Sequence, residues 1–217
     1  MGTKSITGNS AGNTLQWIRW ADTDYAGARL LLLNGLVVQA SGVANTAIEK
    51  YLKAVFSFSG LQVPHWHNPL KLYEAILSAQ SSTLKLNKEF LGLLHKAYTI
   101  RYPDDLKEGF NVALNQAKIL AELDRSVLEI TSRFRFAANG KPIPMLLDKA
   151  ATNEDKQFLD KNVALDPSQA KTLFSETSNS YEIRIYKGNL LEASHQTKDV
   201  SDDRTFKDAL VPRTKPK

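Results

Sequence analysis

From residue 14 to residue 131, apolar side chains recur at alternating spacings of three and four, the period of an α-helix that buries one face. Ile18, Ala21, Tyr25, Ala28 and Leu32 mark the first such segment, with Thr14 or Asn13 as its N-cap and Asn34-Gly35 as its stop. Ala44, Ile48, Tyr51, Val55 and Phe58 mark the second. Beside them Ala40, Ala47 and Ala54 form a flat strip on which another helix packs closely, and Gly60 ends the run. After the connection VPHWHNP, the stretch LKLYEAILSAQ predicts a third helix with Leu70, Tyr73 and Leu77 inward, and Ser81-Ser82-Thr83 loosens the chain. The fourth runs from Asn87 to Ile100, with Phe90, Leu93, Leu94, Ala97 and Ile100 inward, and Pro103 ends it. The fifth and longest is expected from Asp105 to Thr131 on a stripe of Phe110, Ala113, Leu114, Ala117, Leu120, Ala121, Val127 and Leu128. Asp104 and Asp105 suit its positive N-terminal end. Such a series predicts a mainly α fold, an antiparallel, up-and-down bundle of four or five helices.

The pattern changes after Ser132. RFRFAANGKPIPM carries Gly140, Pro142 and Pro144 and reads as a linker or irregular strap over the bundle. NEDKQFLDKN suits a short helix and Asp166-Pro167-Ser168 the start of another. Tyr181, Ile183 and Ile185 alternate with polar residues as in a strand, with Lys187-Gly188-Asn189 as its turn. The expected organisation is therefore a flexible leader over 1–13, a bundle over 14–131, and a small, partly ordered extension over 132–217 with a mobile tail from Asp199.

Composition narrows the chemistry. With no cysteine, disulfides, thiolate zinc sites and thiol nucleophiles are excluded, and a reducing compartment, the cytoplasm, is the expectation. The opening MGTKSITGNSAGNT has no apolar core of the kind a secretory signal needs. The most apolar stretch, Leu30 to Val38, is too short to span a bilayer, which takes about 20 residues, so no membrane association is expected. The net charge of +5 is spread thinly: residues 14–131 hold 12 Lys and Arg against 11 Asp and Glu. Such a balance makes no basic face by itself. Walker, G-x-G-x-x-G, G-x-S-x-G and H-E-x-x-H motifs are absent.

Four features follow one another in order: A-D-x-D-Y-A-x-A in the first helix, Ala44-Asn-Thr-Ala-Ile-Glu-Lys-Tyr-Leu-Lys-Ala-Val55 in the second, the loop His65-x-His67-Asn-Pro-Leu, and Ala97-Tyr-Thr-Ile-Arg-Tyr-Pro-Asp104. In these the chain resembles the HEPN domain family over about residues 14–131. The resemblance implies a four- or five-helix bundle, frequent homodimers, and work on nucleotides or RNA. Many members are metal-independent ribonucleases that use an Arg followed, after four to six residues, by a His. A guanidinium can hold a phosphate while an imidazole moves a proton near neutral pH. None of the nine Arg residues here has a His at that spacing, and Arg101 is followed by YPDDLKEGF. The family is often accompanied by a minimal nucleotidyltransferase, whose Gly-Ser and paired-Asp pattern this chain lacks; any such partner would be a separate chain, as in a toxin and antitoxin pair.

The ligand-binding candidates are Lys50, Lys53, His65, His67, Arg101 and Tyr102. His65, Trp66 and His67 offer a polar, partly aromatic loop for a base or phosphate, yet two histidines are too few for a zinc site, so neither metal nor cofactor is expected. A structural reading makes His67 the cap of the third helix. Glu49 and Lys50 can place a carboxylate and a cation on either side of a groove, with Lys53 a turn away. Arg101 and Tyr102 follow a helix C-terminus, where a cation offsets the dipole. His95 reads as a packed, hydrogen-bonded histidine, and Asp124, on an apolar stripe, as a buried polar tie needing Arg101, Lys50 or a tyrosine hydroxyl. No catalytic residue is assigned. The expected function is a HEPN-like module that binds a nucleotide, an RNA or a partner protein without catalysis. The alternatives are a toxin-like, metal-independent endoribonuclease with a non-standard site of Arg101 with His67 or His95, and a pure protein-interaction scaffold.

Overall fold

The computed structural model describes residues 9–79, 84–138, 140–176, 179–186 and 190–196. The remaining positions, including Lys187-Gly188-Asn189, Ser81-Ser82-Thr83 and the tail from Asp199, lie outside the described residues. The protein is mainly helical, with small antiparallel strands.

Two long helices, α1 (Asn9–Leu33) and α2 (Val37–Phe58), form the central hairpin. The turn between them is made by Gly35 at φ 77°, whose N–H reaches Leu32 O at 3.0 Å while that of Leu36 reaches Leu31 O at 2.9 Å. That pair of bonds closes the end of α1, and glycine meets the left-handed backbone without a Cβ penalty. Small residues let the two helices approach closely: Ala21 and Ala28 on α1, and Ala40, Ala44, Ala47 and Ala54 on α2, are fully buried. The α1 helix begins at Asn9, ahead of both expected caps, so Asn13 and Thr14 sit inside it and Thr14 donates its hydroxyl to Ser57 at 2.8 Å.

Helix α3 (Pro69–Ala79) turns Leu72, Tyr73 and Ile76 inward, where the sequence pointed to Leu70 and Leu77 beside Tyr73. Its first turn is capped by Asn68, whose Oδ1 accepts from Lys71 N at 3.1 Å, in place of the expected His67. Helix α4 (Lys88–Thr99), capped by Asn87, buries Phe90, Leu93, Leu94 and Ala97 as expected, with Ile100 at its C-terminal end only partly buried.

The expected fifth helix is divided. Pro103–Asp105 make a 3-10 turn, Asn111–Asn115 form strand β1, and α5 covers only Gln116–Thr131. The physical reason is a distant partner: β1 pairs antiparallel with β4 (Ser180–Tyr186), Val112 opposite Ile183 and Leu114 opposite Tyr181. Asn115 ends the strand and caps α5 by accepting from Lys118 N at 3.0 Å. In turn β4 pairs with β5 (Leu190–Gln196), giving a three-stranded sheet in the order β1-β4-β5.

The strap after Ser132 is a short hairpin, β2 (Phe136–Ala138) with β3 (Lys141–Ile143). It packs through Phe134 and Phe136 on Phe58 at the end of α2, with centroids 5.3 and 5.9 Å away. Then come α6 (Leu146–Thr152), α7 (Lys156–Leu159) and α8 (Ala170–Glu176), the last preceded by a 3-10 turn capped by Asp166. Phe158 of α7 lies on Tyr25 of α1, centroids 5.9 Å apart. No helix among the described residues is long and apolar enough to cross a membrane.

Candidate functional site

One face of α2 gathers most of the chemistry. Gly42, Asn45, Glu49 and Lys53 follow at spacings of three and four, so they line up along the helix, and all four are buried. Lys53 Nζ and Glu49 Oε1 are 2.8 Å apart with only 6% and 8% of their side chains exposed. Burying two charges is costly, so each depends on the other and on its surroundings. Lys53 also lies 5.5 Å above the Trp17 ring, which meets Trp20 edge-on at 5.5 Å. A cation held against an aromatic face gains quadrupole attraction. The same Glu49 oxygen takes Nδ1 of His67 at 3.1 Å. A carboxylate only accepts, so Nδ1 is the donor in this bond and Nε2 is the nitrogen Glu49 does not engage. The His67 side chain is 71% exposed.

The other half of the site comes from the end of α4. Arg101, exposed, stacks its guanidinium over Tyr98 at 5.1 Å and has no ion pair among the described residues. Its stem passes close to α2: a Cβ on Gly42 would lie 3.5 Å from Arg101 Cδ. Tyr98 and half-exposed Tyr102 have ring centroids 6.0 Å apart. The Tyr98 phenol is pushed above its ordinary range, chiefly by its hydrogen bond with Tyr102, then by burial and the Tyr102 charge; Arg101 opposes the shift and Glu49 adds a little to it.

The structure thus brings Lys53, His67, Arg101 and Tyr102 onto or beside one face. It sends Lys50 elsewhere, to Asp24 of α1 at 2.6 Å. His65 is exposed on the loop, beside Trp66 at 51% exposure. His95 lies on α4, and among the described residues its buried Nδ1 has no hydrogen-bond partner, where a hydrogen-bonded histidine was expected. Burial, then the Lys71 charge, holds its imidazole below the usual range. Asp124 is fully buried among polar partners. Of the three partners foreseen, only the tyrosine is present: Tyr25 donates its hydroxyl at 2.8 Å, while neither Arg101 nor Lys50 reaches the carboxylate. The cation is instead Arg29, fully buried and ion-paired with Asp124. Arg29 Nε and Nη2 also donate to the carbonyls of Gln157 and Asp160, at 3.1 and 2.6 Å.

Sequence reasoning passed over Arg29, Asn45, Trp17 and Tyr98. Arg29 carried a signal, a charge one turn beyond Tyr25 and next to the inward Ala28. Asn45 carried another, a polar residue one turn before Glu49.

The family model of the HEPN domain matches residues 14–134. Comparison with curated proteins and with solved structures returns no match.

Proposed function

The chain belongs to the HEPN domain family, and on that premise we propose that it is a non-catalytic module binding a nucleotide or single-stranded RNA on the face shared by α2 and the end of α4. The observation that carries this reading is Arg101, exposed, free of any ion pair among the described residues, and stacked on Tyr98 beside the Glu49–Lys53 pair. A guanidinium is the planar donor set suited to phosphate, and an aromatic ring beside it offers a base a stacking surface. His67, with Nδ1 engaged by Glu49, presents its other nitrogen at the edge of the same face. Trp20 and Trp66, both about half exposed, extend the aromatic surface.

Separation within the site favours binding over cleavage. Arg101 touches α2 at Gly42 and His67 touches it at Glu49. Those positions are seven residues apart, about 10 Å at the rise of an α-helix. General acid–base work with a phosphate clamp needs the two groups about one hydrogen bond from the same reacting atoms. His95 on α4 feels the Lys71 charge, and Arg101 is not among the groups that shift it. HEPN domains commonly dimerise and bind RNA. A homodimer through helix faces and a separate nucleotidyltransferase-type partner chain in the cytoplasm extend the same proposal.

Titrating the purified chain with AMP and with a labelled single-stranded RNA, read by calorimetry and by gel, tests it. Binding is expected and should weaken about tenfold or more in Arg101→Ala, with the RNA left intact. Clean cleavage by the wild type that is lost in Arg101→Ala overturns the non-catalytic reading, and no binding of either probe at millimolar concentration overturns the nucleotide reading.

A further inference from the structure

Asn45 is fully buried, and among the described residues neither its amide nitrogen nor its carbonyl oxygen has a hydrogen-bond partner. Leaving a buried amide unpaired is costly, and native interiors rarely tolerate it without a use for the group. Its place is informative. Asn45 stands one turn after Gly42, against which the Arg101 stem rests, and one turn before Glu49, whose charge the Tyr98 phenol senses. Arg101 thus lies beside α2 at Gly42 and Tyr98 within electrostatic range of Glu49, and Asn45 falls between those two positions on the same helix face.

An amide offers one donor and one acceptor side by side. Adenine presents the complementary pair on both of its hydrogen-bonding edges, the 6-amino group beside N1 or N7. We propose that Asn45 is the specificity-determining residue of this site, pairing through its amide with the 6-amino edge of an adenine stacked between Tyr98 and Arg101. The proposal rests on the nucleotide-binding reading above. In the present conformation the guanidinium and ring are 5.1 Å apart. A base stacked on both needs about 7 Å, two layers of ~3.4 Å, so Arg101 must lift by roughly 2 Å. Arg101 is exposed and has no ion pair among the described residues, so that movement breaks no salt bridge.

The test compares AMP with purine riboside 5′-monophosphate, the same nucleotide without its 6-amino group, by calorimetry on the full chain. The wild type is expected to bind AMP about tenfold more tightly, the discrimination one good bidentate contact gives. In Asn45→Leu the two ligands should bind alike within about twofold. The variant should melt at or above the wild-type temperature, because an unpaired amide has left the core. Asn45→Ala keeps the helix and serves if the leucine does not fit. Wild-type protein that binds both compounds equally, or Asn45 variants that still discriminate between them, overturn the role of Asn45 while leaving nucleotide binding standing. A wild type that binds neither overturns both.

Discussion

Arg29 and Asp124 meet at the centre of the molecule with neither side chain exposed to solvent, one from α1 and the other from α5. Burial raises the Asp124 carboxyl above its ordinary range, and Arg29 and the Tyr25 hydroxyl oppose that shift. Neither charge is tolerable there alone. Asp124→Asn, which strands the guanidinium, is expected to cost about 3–5 kcal/mol in urea unfolding. A double variant, Arg29→Met with Asp124→Leu, is expected to lose clearly less than the two single losses added, because both charges leave together. Equal, additive losses would show that the two side chains do not depend on each other.

Asp22 gives the fold a pH dependence of known sign. It takes the Tyr51 hydroxyl at 2.6 Å, and burial pushes its carboxyl from 3.8 to about 6. The folded chain therefore keeps a proton that the unfolded chain sheds. This contribution to stability is full below about pH 4 and is lost as the pH rises through 6. At about 1.4 kcal/mol per unit the loss reaches at most roughly 3 kcal/mol, and less at a partly exposed position. Asp22→Asn should flatten this part of the profile and raise the melting temperature at pH 7. Thermal melts between pH 3.5 and 8 check it; an unchanged slope would refute it.

His95 acts in the opposite direction. Its imidazole is held below the ordinary value of 6.5, so its neutral form stabilises the fold above that pH, and the contribution is lost as the pH falls. His95→Leu removes both the titration and a buried nitrogen that has no partner among the described residues. The variant should lose less stability than the wild type between pH 6.5 and 5 in the same melts. If the two decline in parallel, the histidine is not the group responsible.

Gly42 separates helix stability from the site. An added Cβ makes ordinary contact with Arg101 Cδ at 3.5 Å, so Gly42→Ala should fit and stabilise α2 by about 0.5–1 kcal/mol. Gly42→Leu has no such room and should push Arg101 off Tyr98. Nucleotide affinity is then expected to fall several-fold in the leucine variant and hold in the alanine variant, with both remaining folded by circular dichroism. Equal affinities in the two would place the binding face elsewhere.

Helices α1, α2 and α4 were legible because their apolar spacing is local, and Gly35 and Gly60 punctuate them where the backbone turns left-handed. The strand Asn111–Asn115 was not, since Ala113 and Leu114 fit a helical stripe equally well and the deciding partner, β4, begins at Ser180. Distance in sequence hid Arg29 in the same way: a charge inside a leucine-rich helix acquires its meaning only from Asp124, 95 residues on. Of the site, Glu49, Lys50 and Lys53 stood out as charges within about a turn of one another, which does not reveal that Lys53, and not Lys50, is the cation paired with Glu49. Lys50 was misplaced because neighbouring helix positions point about 100° apart, enough to turn it from the Arg101 side to Asp24.

The ladder between β1 and β4 means that the part of the chain matched by its family is not mechanically self-sufficient. Cutting after residue 134 would strip the hydrogen bonds from one side of Asn111–Asn115 and take away the two carbonyls that receive Arg29. A raw strand edge is a template for another chain, so such a fragment should clump or pair with itself through that edge. Any dimer measured on it would then report the cut and not the protein.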